Sequence, residues 1–204
     1  MLTLYHAPLS RSSRILWLLE ELGAGFEVVY CNIPRMDGSG AADLANPHPD
    51  RKVPALVHDG ALVTESAAII LYLTDLFPET DLAPRVGDRL RGAYLTWLAY
   101  YAGVIEPVIH FQAFGLAGHE GLARTYRGRA EIDRRIEGTL NRSGYLLGDE
   151  FCAADLLIAS IGQWKRDLLP AGDPVDAWLA RCNARPALAR AVAKDSPPSA
   201  ETAS

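Results

Sequence analysis

Two dipeptides, Val53-Pro54 and Glu65-Ser66, carry the residue types and spacing best suited to chemistry in this chain. Residues 52–70 read as a strand, a tight Asp59-Gly60 turn, a second strand, and a helix opening at Glu65-Ser66. Pro54 stands at the first strand's entrance, where a missing N–H and a cis bond are tolerated. A Val-Pro there presents the Val53 backbone N–H and C=O for pairing with an extended peptide. Ser66, with the N–H groups of a helix N-terminus, suits a carboxylate, and Glu65 suits an ammonium. The segment thus offers a main-chain ladder and partners for both charges of an amino-acid head group. That is a receptor for a small peptide. Lys52 is either a solvated surface lysine or a further partner for a carboxylate of the same ligand.

Other reactive residue types point elsewhere less clearly. Cys31, Cys152 and Cys182 are odd in number and lack Cys-x-x-Cys spacing, against a disulfide framework or a dithiol redox pair. A reducing, cytoplasmic setting is expected. The five histidines show no metal-ligand spacing, so no metal site is expected. A formal charge of -5 argues against nucleic acid as a partner. Every apolar run is interrupted by Arg, Glu, Asp or Gly before it reaches bilayer length, and the first residues lack the basic start of a secretory signal.

The elements that must position these residues fall into two halves. In the first, Leu2 to Tyr5 is a strand, Ile15, Leu18, Leu19 and Leu22 mark a helix ending at Gly23, and Phe26 to Cys31 is a second strand. Strand–helix–strand at this length implies a parallel pair with a right-handed crossover. The hairpin and a helix over about 66–77 complete an order of βαβ then ββα, that of a thioredoxin-like domain over 1–78. After a Pro-bearing linker the strand signals vanish, and 85–195 reads as all-helical. Its helices are expected over 89–114, with Pro107 kinking or dividing the run, then 124–141, 153–168, 175–182 and 186–194. The tail at 196–204, rich in Ser, Pro and Ala, is expected to be disordered.

Three motifs give a resemblance. Leu4-Tyr5-His6-Ala7-Pro8-Leu9-Ser10-Arg11-Ser12-Ser13-Arg14 running into Trp17-Leu18-Leu19-Glu20-Glu21-Leu22-Gly23 is similar to the opening strand, loop and helix of bacterial and fungal glutathione transferases. Val53-Pro54 with Glu65-Ser66 resembles that family's glutathione cassette. Gly148-Asp149-Glu150-Phe151-Cys152-Ala153-Ala154-Asp155 resembles the capping box of its buried second-domain helix, with Cys152 where Ser or Thr is usual. Arg51 stands where the family usually has Gly.

The resemblance implies a cytosolic glutathione transferase, with an α/β thioredoxin-like domain followed by an all-α one. Glutathione is the cosubstrate, with no bound cofactor and no metal, and the assembly is a homodimer. Lys52, Val53, Pro54, Glu65 and Ser66 are expected to bind glutathione. Ser10 is the expected donor to its sulfur, stabilising thiolate over thiol with the help of the helix dipole. Tyr5 is the alternative donor, and Ser12 and Ser13 stay open, as does a plain capping role for these serines. An apolar electrophile is expected in the second domain, where an aromatic stripe includes Tyr101, Phe111 and Phe114. Two other readings stay open: a non-catalytic binding module of the same fold, and glutathione-dependent peroxidase or isomerase chemistry.

Overall fold

Leu2, Leu4 and His6 turn inward along one face of β1 (Leu2–His6), the period-two burial of a strand with one covered side. A computed structural model of the chain describes residues 1–197. In it β1 is followed by α1 (Ser13–Glu21), β2 (Phe26–Tyr30), β3 (Ala55–His58), β4 (Ala61–Thr64) and α2 (Ser66–Leu76). The four strands form one mixed sheet in the order β2-β1-β3-β4, with β1 and β2 parallel and the other neighbours antiparallel. This is the expected thioredoxin-like order. Helix α1 ends where expected: Gly23 takes a φ of 61°, which glycine adopts without Cβ strain, and Ala24 N–H returns to Leu19 O at 3.1 Å.

Past a short 3₁₀ turn at Pro78–Thr80 the chain is helical: α3 (Arg91–Tyr100), α4 (Glu106–Ala113), α5 (Glu120–Tyr126), α6 (Arg129–Leu140), α7 (Ala153–Trp164), α8 (Asp173–Asn183) and α9 (Pro186–Ala193). Between α3 and α4 the five residues Tyr101–Ile105 form a π-type turn. Pro107 has no N–H to return to a carbonyl four residues earlier, and the widened turn just ahead of it carries the helix across that gap. The single helix expected over 124–141 is instead two, because Arg127 and Gly128 take φ of 62° and 79° and cannot continue a right-handed helix. The expected 153–168 helix stops at Trp164, and a 3₁₀ turn takes up Arg166–Leu168.

Two compact units result. One comprises Met1–Phe77 with the C-terminal segment from Arg185, the other Pro78–Ala184. The sequence places 186–194 in the helical domain; α9 packs instead on α1, in the sheet-bearing unit. Charge fixes that position. Arg185 forks over Glu21 at 2.6 and 2.7 Å, and Glu20 accepts from Arg190 at 2.8 Å and from the Lys194 amino group. Of the tail expected at 196–204, residues 198–204 lie outside the described residues. Ser196 O and Lys194 O both accept from the Tyr30 hydroxyl.

In the helical unit α7 is the buried element, with Ala153 through Ile161 all buried. Its capping box closes through Asp155, whose Oδ2 accepts from Cys152 N–H at 3.0 Å and from the Cys152 thiol at 3.1 Å. Asp155 Oδ1 takes Leu146 N–H at 2.9 Å and the Trp178 indole N–H at 2.8 Å. Four donors on one buried carboxylate satisfy it fully and tie α7 to α8.

Candidate functional site

The sheet register gathers the candidate residues. Tyr5 pairs with Ala55, and Ala55 with Thr64, so one end of the sheet carries the exit of β1, the entrance of β3 and the exit of β4. From that end the chain leads to Ser10 on one side, comes in through Val53-Pro54 in the middle, and departs to Glu65-Ser66 on the other. Residues more than fifty positions apart in the sequence are thus presented by one sheet edge. Sequence spacing alone could not produce this; antiparallel pairing does.

The Val53-Pro54 bond is cis, as expected, and Val53 lies just outside the β3 ladder. Lys52 is exposed, with its amino group 3.9 Å from Asp50. Arg51 occupies φ 55°, a left-handed position that suits the glycine usual in the resembling family, and its guanidinium donates to Leu44 O at 3.3 Å and to Asn46 O. Buried Asn46 holds the approach to the site. Its amide donates to Lys52 O at 2.9 Å, while its Oδ1 accepts His48 N–H at 3.0 Å. Nothing in the sequence reading singled out Asn46. An Asn two residues before a His in a Pro-rich loop was the available signal.

At the third strand end Glu65 is exposed and takes φ 67°, ψ 122°, with its side chain free of any capping bond. A non-glycine residue in that region costs about 1–3 kcal/mol and is retained where the surroundings demand it. The strain turns the chain sharply from β4 into α2, so that Ser66 opens the helix and is buried. An exposed carboxylate therefore adjoins a helix N-terminus, the arrangement expected for an ammonium and a carboxylate on one small ligand.

The loop after β1 differs most from a simple capping serine cluster. Ser12 is the N-cap of α1, yet its hydroxyl makes no capping bond. It turns back instead, accepting Ala7 N–H at 3.1 Å and standing 2.8 Å from His6 Nδ1. Ser10 Oγ lies 2.7 Å from Ser12 Oγ, accepts Ser12 N–H at 3.2 Å and donates to Ala7 O at 2.7 Å. Ser13 Oγ accepts Ser10 N–H at 3.3 Å. Ser10 is 8% exposed and Ser12 not at all. Tyr5 packs its side chain against the cluster of Ala7, Cys31 and Val53, with Val29 and Ile33 beside it.

His6 closes the far end of this chain. Its ring is fully buried, edge-on to Tyr30 at 5.6 Å between centroids. His6 Nε2 lies 3.2 Å from Asp195 O and 3.5 Å from Asp195 Oδ1. The other carboxylate oxygen of Asp195 accepts Leu9 N–H at 2.9 Å, at a residue held in φ 53°. Burial pushes the imidazole below its ordinary value, and the carbonyl and charge of Asp195 oppose that in part. The sequence reading counted His6 only among histidines without metal spacing. Its alternation with Leu2 and Leu4 marked it as inward-facing, but Asp195 is too distant in sequence to have been paired with it.

The expected electrophile residues differ in their surroundings. Tyr101 is buried in the π-type turn, Phe114 is 61% exposed, and Phe111 alone lines a cavity of about 180 Å³ within the helical unit. Val108, Leu122, Tyr126 and Arg129 share that lining, and Phe111 meets Tyr126 edge-to-face at 5.2 Å. The three cysteines form no disulfide and are buried, and burial together with Asp155 raises the Cys152 thiol well above its ordinary value. Among the described residues no cluster of His, Cys, Asp or Glu is suited to a metal ion, and no helix is long and apolar enough to cross a membrane.

Comparison with known proteins gives a consistent pattern. A family model for the N-terminal domain of glutathione S-transferases matches residues 4–81. Glutathione S-transferase 3 of Schizosaccharomyces pombe is 42% identical over 110 residues, 53% of this chain and 44% of that protein. The match thus spans less than half of that relative's length. A glutathione S-transferase from Triticum aestivum is 29% identical over 183 residues, 81% of each chain. Among solved structures, a glutathione transferase from Methylococcus capsulatus is similar with a TM-score of 0.74 at 28% identity, covering 96% of this chain and 98% of its own.

Proposed function

We infer that this chain is a cytosolic glutathione transferase, as its likeness to proteins of that family supports, and that it binds glutathione, holds its thiol as thiolate, and directs that sulfur to a small apolar electrophile. The observation that carries this reading is the shared sheet end, where Ser10, Val53-Pro54 and Glu65-Ser66 converge through the pairing of Tyr5, Ala55 and Thr64. Val53 supplies the main-chain ladder, and Lys52, Glu65 and Ser66 supply charge and hydrogen bonds to the ends of the peptide. Ser10 donates to the sulfur. Its exposure is small but not zero, and its hydroxyl is already held in a hydrogen-bonded chain. The packing of Tyr5 against an apolar cluster favours Ser10 over Tyr5.

The reaction needs no further cofactor in this reading. Glutathione supplies the nucleophile, and the protein supplies orientation and electrostatic stabilisation. The electrophile is assigned to the helical unit. Tyr101 and Phe114 belong to the aromatic stripe of this assignment, and Phe111, at the apolar cavity, is its firmest member. The working assembly is a cytoplasmic homodimer. Retention on immobilised glutathione, followed by turnover with a panel of apolar electrophiles and hydroperoxides, tests the proposal. Conjugation confirms transferase chemistry; peroxide reduction alone reassigns the reaction; binding without any turnover leaves a binding module.

A further inference from the structure

Ala7 O, Ser10 Oγ, Ser12 Oγ, His6 and Asp195 stand in one line, each within 3.2 Å of the next: 2.7, 2.7, 2.8 and 3.2 Å. Each of these four contacts needs one proton. The two ends, Ala7 O and Asp195 O, are acceptors only. Between them, two hydroxyls and a neutral imidazole supply three protons. The line is one proton short whenever His6 is neutral. With both ring nitrogens protonated the three contacts from Ser10 to Asp195 are filled, Nδ1–H to Ser12, Ser12 to Ser10 and Nε2–H to Asp195, and the Ser10 proton is left for Ala7 O or for a sulfur at the same hydroxyl.

Ser12 Oγ also lies 3.3 Å from Ala7 O, a longer alternative to its 2.7 Å contact with Ser10. Ser12 Oγ also accepts Ala7 N–H, and Ser10 Oγ also accepts Ser12 N–H, so both oxygens are fixed in place without spending their own protons. Asp195 Oδ1 is buried with no hydrogen-bond partner, 3.5 Å from His6 Nε2, where a positive imidazole ring is what it lacks. The other groups facing His6 do not compete for the charge. Tyr30 packs T-shaped against the His6 ring and its hydroxyl donates to Lys194 O and Ser196 O, while the Lys194 amino group is engaged by Glu20.

We propose that Ser10, Ser12 and His6 form a relay that takes the thiol proton of glutathione, with His6 as its final acceptor and Asp195 as the charge that compensates it. The inference rests on the preceding reading that Ser10 meets the sulfur. The S–H bond breaks with its electron pair kept by sulfur, and that proton passes to Ser10 Oγ. The proton Ser10 held moves to Ser12 Oγ, and the one Ser12 held moves to His6 Nδ1. One thiol and one neutral imidazole become one thiolate and one imidazolium, with no heavy atom displaced. The proton left on Ser10 is the one that came from sulfur, so it points back at the thiolate and supplies the stabilising hydrogen bond. His6 and Ser12 are positioning residues for Ser10, and α9 brings Asp195 to them.

Nitrogen NMR of histidine-labelled protein tests this directly. Saturating glutathione should convert His6 from the neutral to the imidazolium signature, whereas S-methylglutathione, which fills the site without a thiol proton, should leave it neutral. Calorimetry in two buffers of different ionisation heat gives an independent count. In the wild-type protein the thiol proton stays on the protein; in Ser12→Ala, each thiolate formed should send about one proton to the buffer. The same variant should lose roughly ten- to hundredfold in turnover near neutral pH and recover as pH rises. Thiolate absorbance with His6 still neutral, or equal proton release from the two proteins, overturns the relay and leaves the glutathione reading standing. Glutathione binding with no thiolate in either protein overturns both.

Discussion

Arg185 holds Glu21 with two parallel hydrogen bonds, Nε to Oε1 at 2.6 Å and Nη2 to Oε2 at 2.7 Å, across 164 residues of sequence. Glu21 also accepts the Trp17 indole N–H at 2.9 Å, so the carboxylate is oriented before the guanidinium meets it. A planar fork on an oriented carboxylate is the strong form of ion pair. It fastens α9 to α1 and thereby delivers Asp195 to the loop that carries Ser10.

Ser10→Ala should raise the pH at which bound glutathione ionises and lower turnover, with little change in glutathione affinity. Each unit of lost thiolate stabilisation corresponds to about 1.4 kcal/mol. Thiolate absorbance titrated in Ser10→Ala and in Tyr5→Phe decides the donor. A shift confined to Tyr5→Phe transfers the role to the phenol.

Removing either member of the Glu65-Ser66 pair should weaken glutathione more than it weakens the fold. The loss of a charge-assisted hydrogen bond costs roughly 1.5–3 kcal/mol, about ten- to hundredfold in dissociation constant. Glu65→Ala also relaxes nothing at φ 67°, since alanine meets the same strain there. Undiminished affinity in both variants, read by calorimetry, is incompatible with a glutathione site at this sheet end.

Glu20 ties pH to stability. Burial raises its carboxyl, but Lys194 and Arg190 outweigh burial and hold it below its ordinary value. A depressed carboxyl contributes stability above its unfolded pKa and loses it as pH falls through the lower, folded value. The α1–α9 attachment should therefore loosen in acid, below about pH 4.5. Glu20→Gln should cost about 1 kcal/mol at neutral pH, because Arg190 and Lys194 are half exposed and screened by water. Its melting temperature should drop by roughly 2–4 °C and vary less with pH across the acid range than that of the wild type.

Cys152→Ser should stabilise the helical unit without changing catalysis. The thiol is a weak donor to Asp155 Oδ2, and a hydroxyl in its place makes a shorter, charge-assisted bond at the start of α7. A gain of about 0.5–1 kcal/mol corresponds to roughly 1–4 °C in melting temperature. Cys152 is buried, so the smaller serine gives up some packing. A lower melting temperature with activity per folded molecule intact would show that packing outweighs the cap.

Local signals in the sequence determined the elements and most of the candidate cassette. Alternation marked the strands, the i, i+3, i+4 apolar pattern marked α1, Gly23 marked its end, and Asp59-Gly60 marked the hairpin, because each depends on backbone preferences a few residues long. Val53-Pro54 and Glu65-Ser66 were legible for the same reason. Helix divisions were legible only in part. Pro107 announced a break, whereas Arg127 gave no hint of its left-handed backbone. What only the tertiary structure decided is which distant groups meet. An amphipathic helix such as α9 shows that it must cover something, but not whether its partner is α1 or α8; the ion pairs from Arg185 and Arg190 settle it on α1. Likewise Ser12 has the composition of a helix cap, and turns away from that role because buried His6 and Ala7 N–H offer its oxygen better partners. Hydrogen bonds of that kind are set by three-dimensional packing, and a linear chain carries no local mark of them.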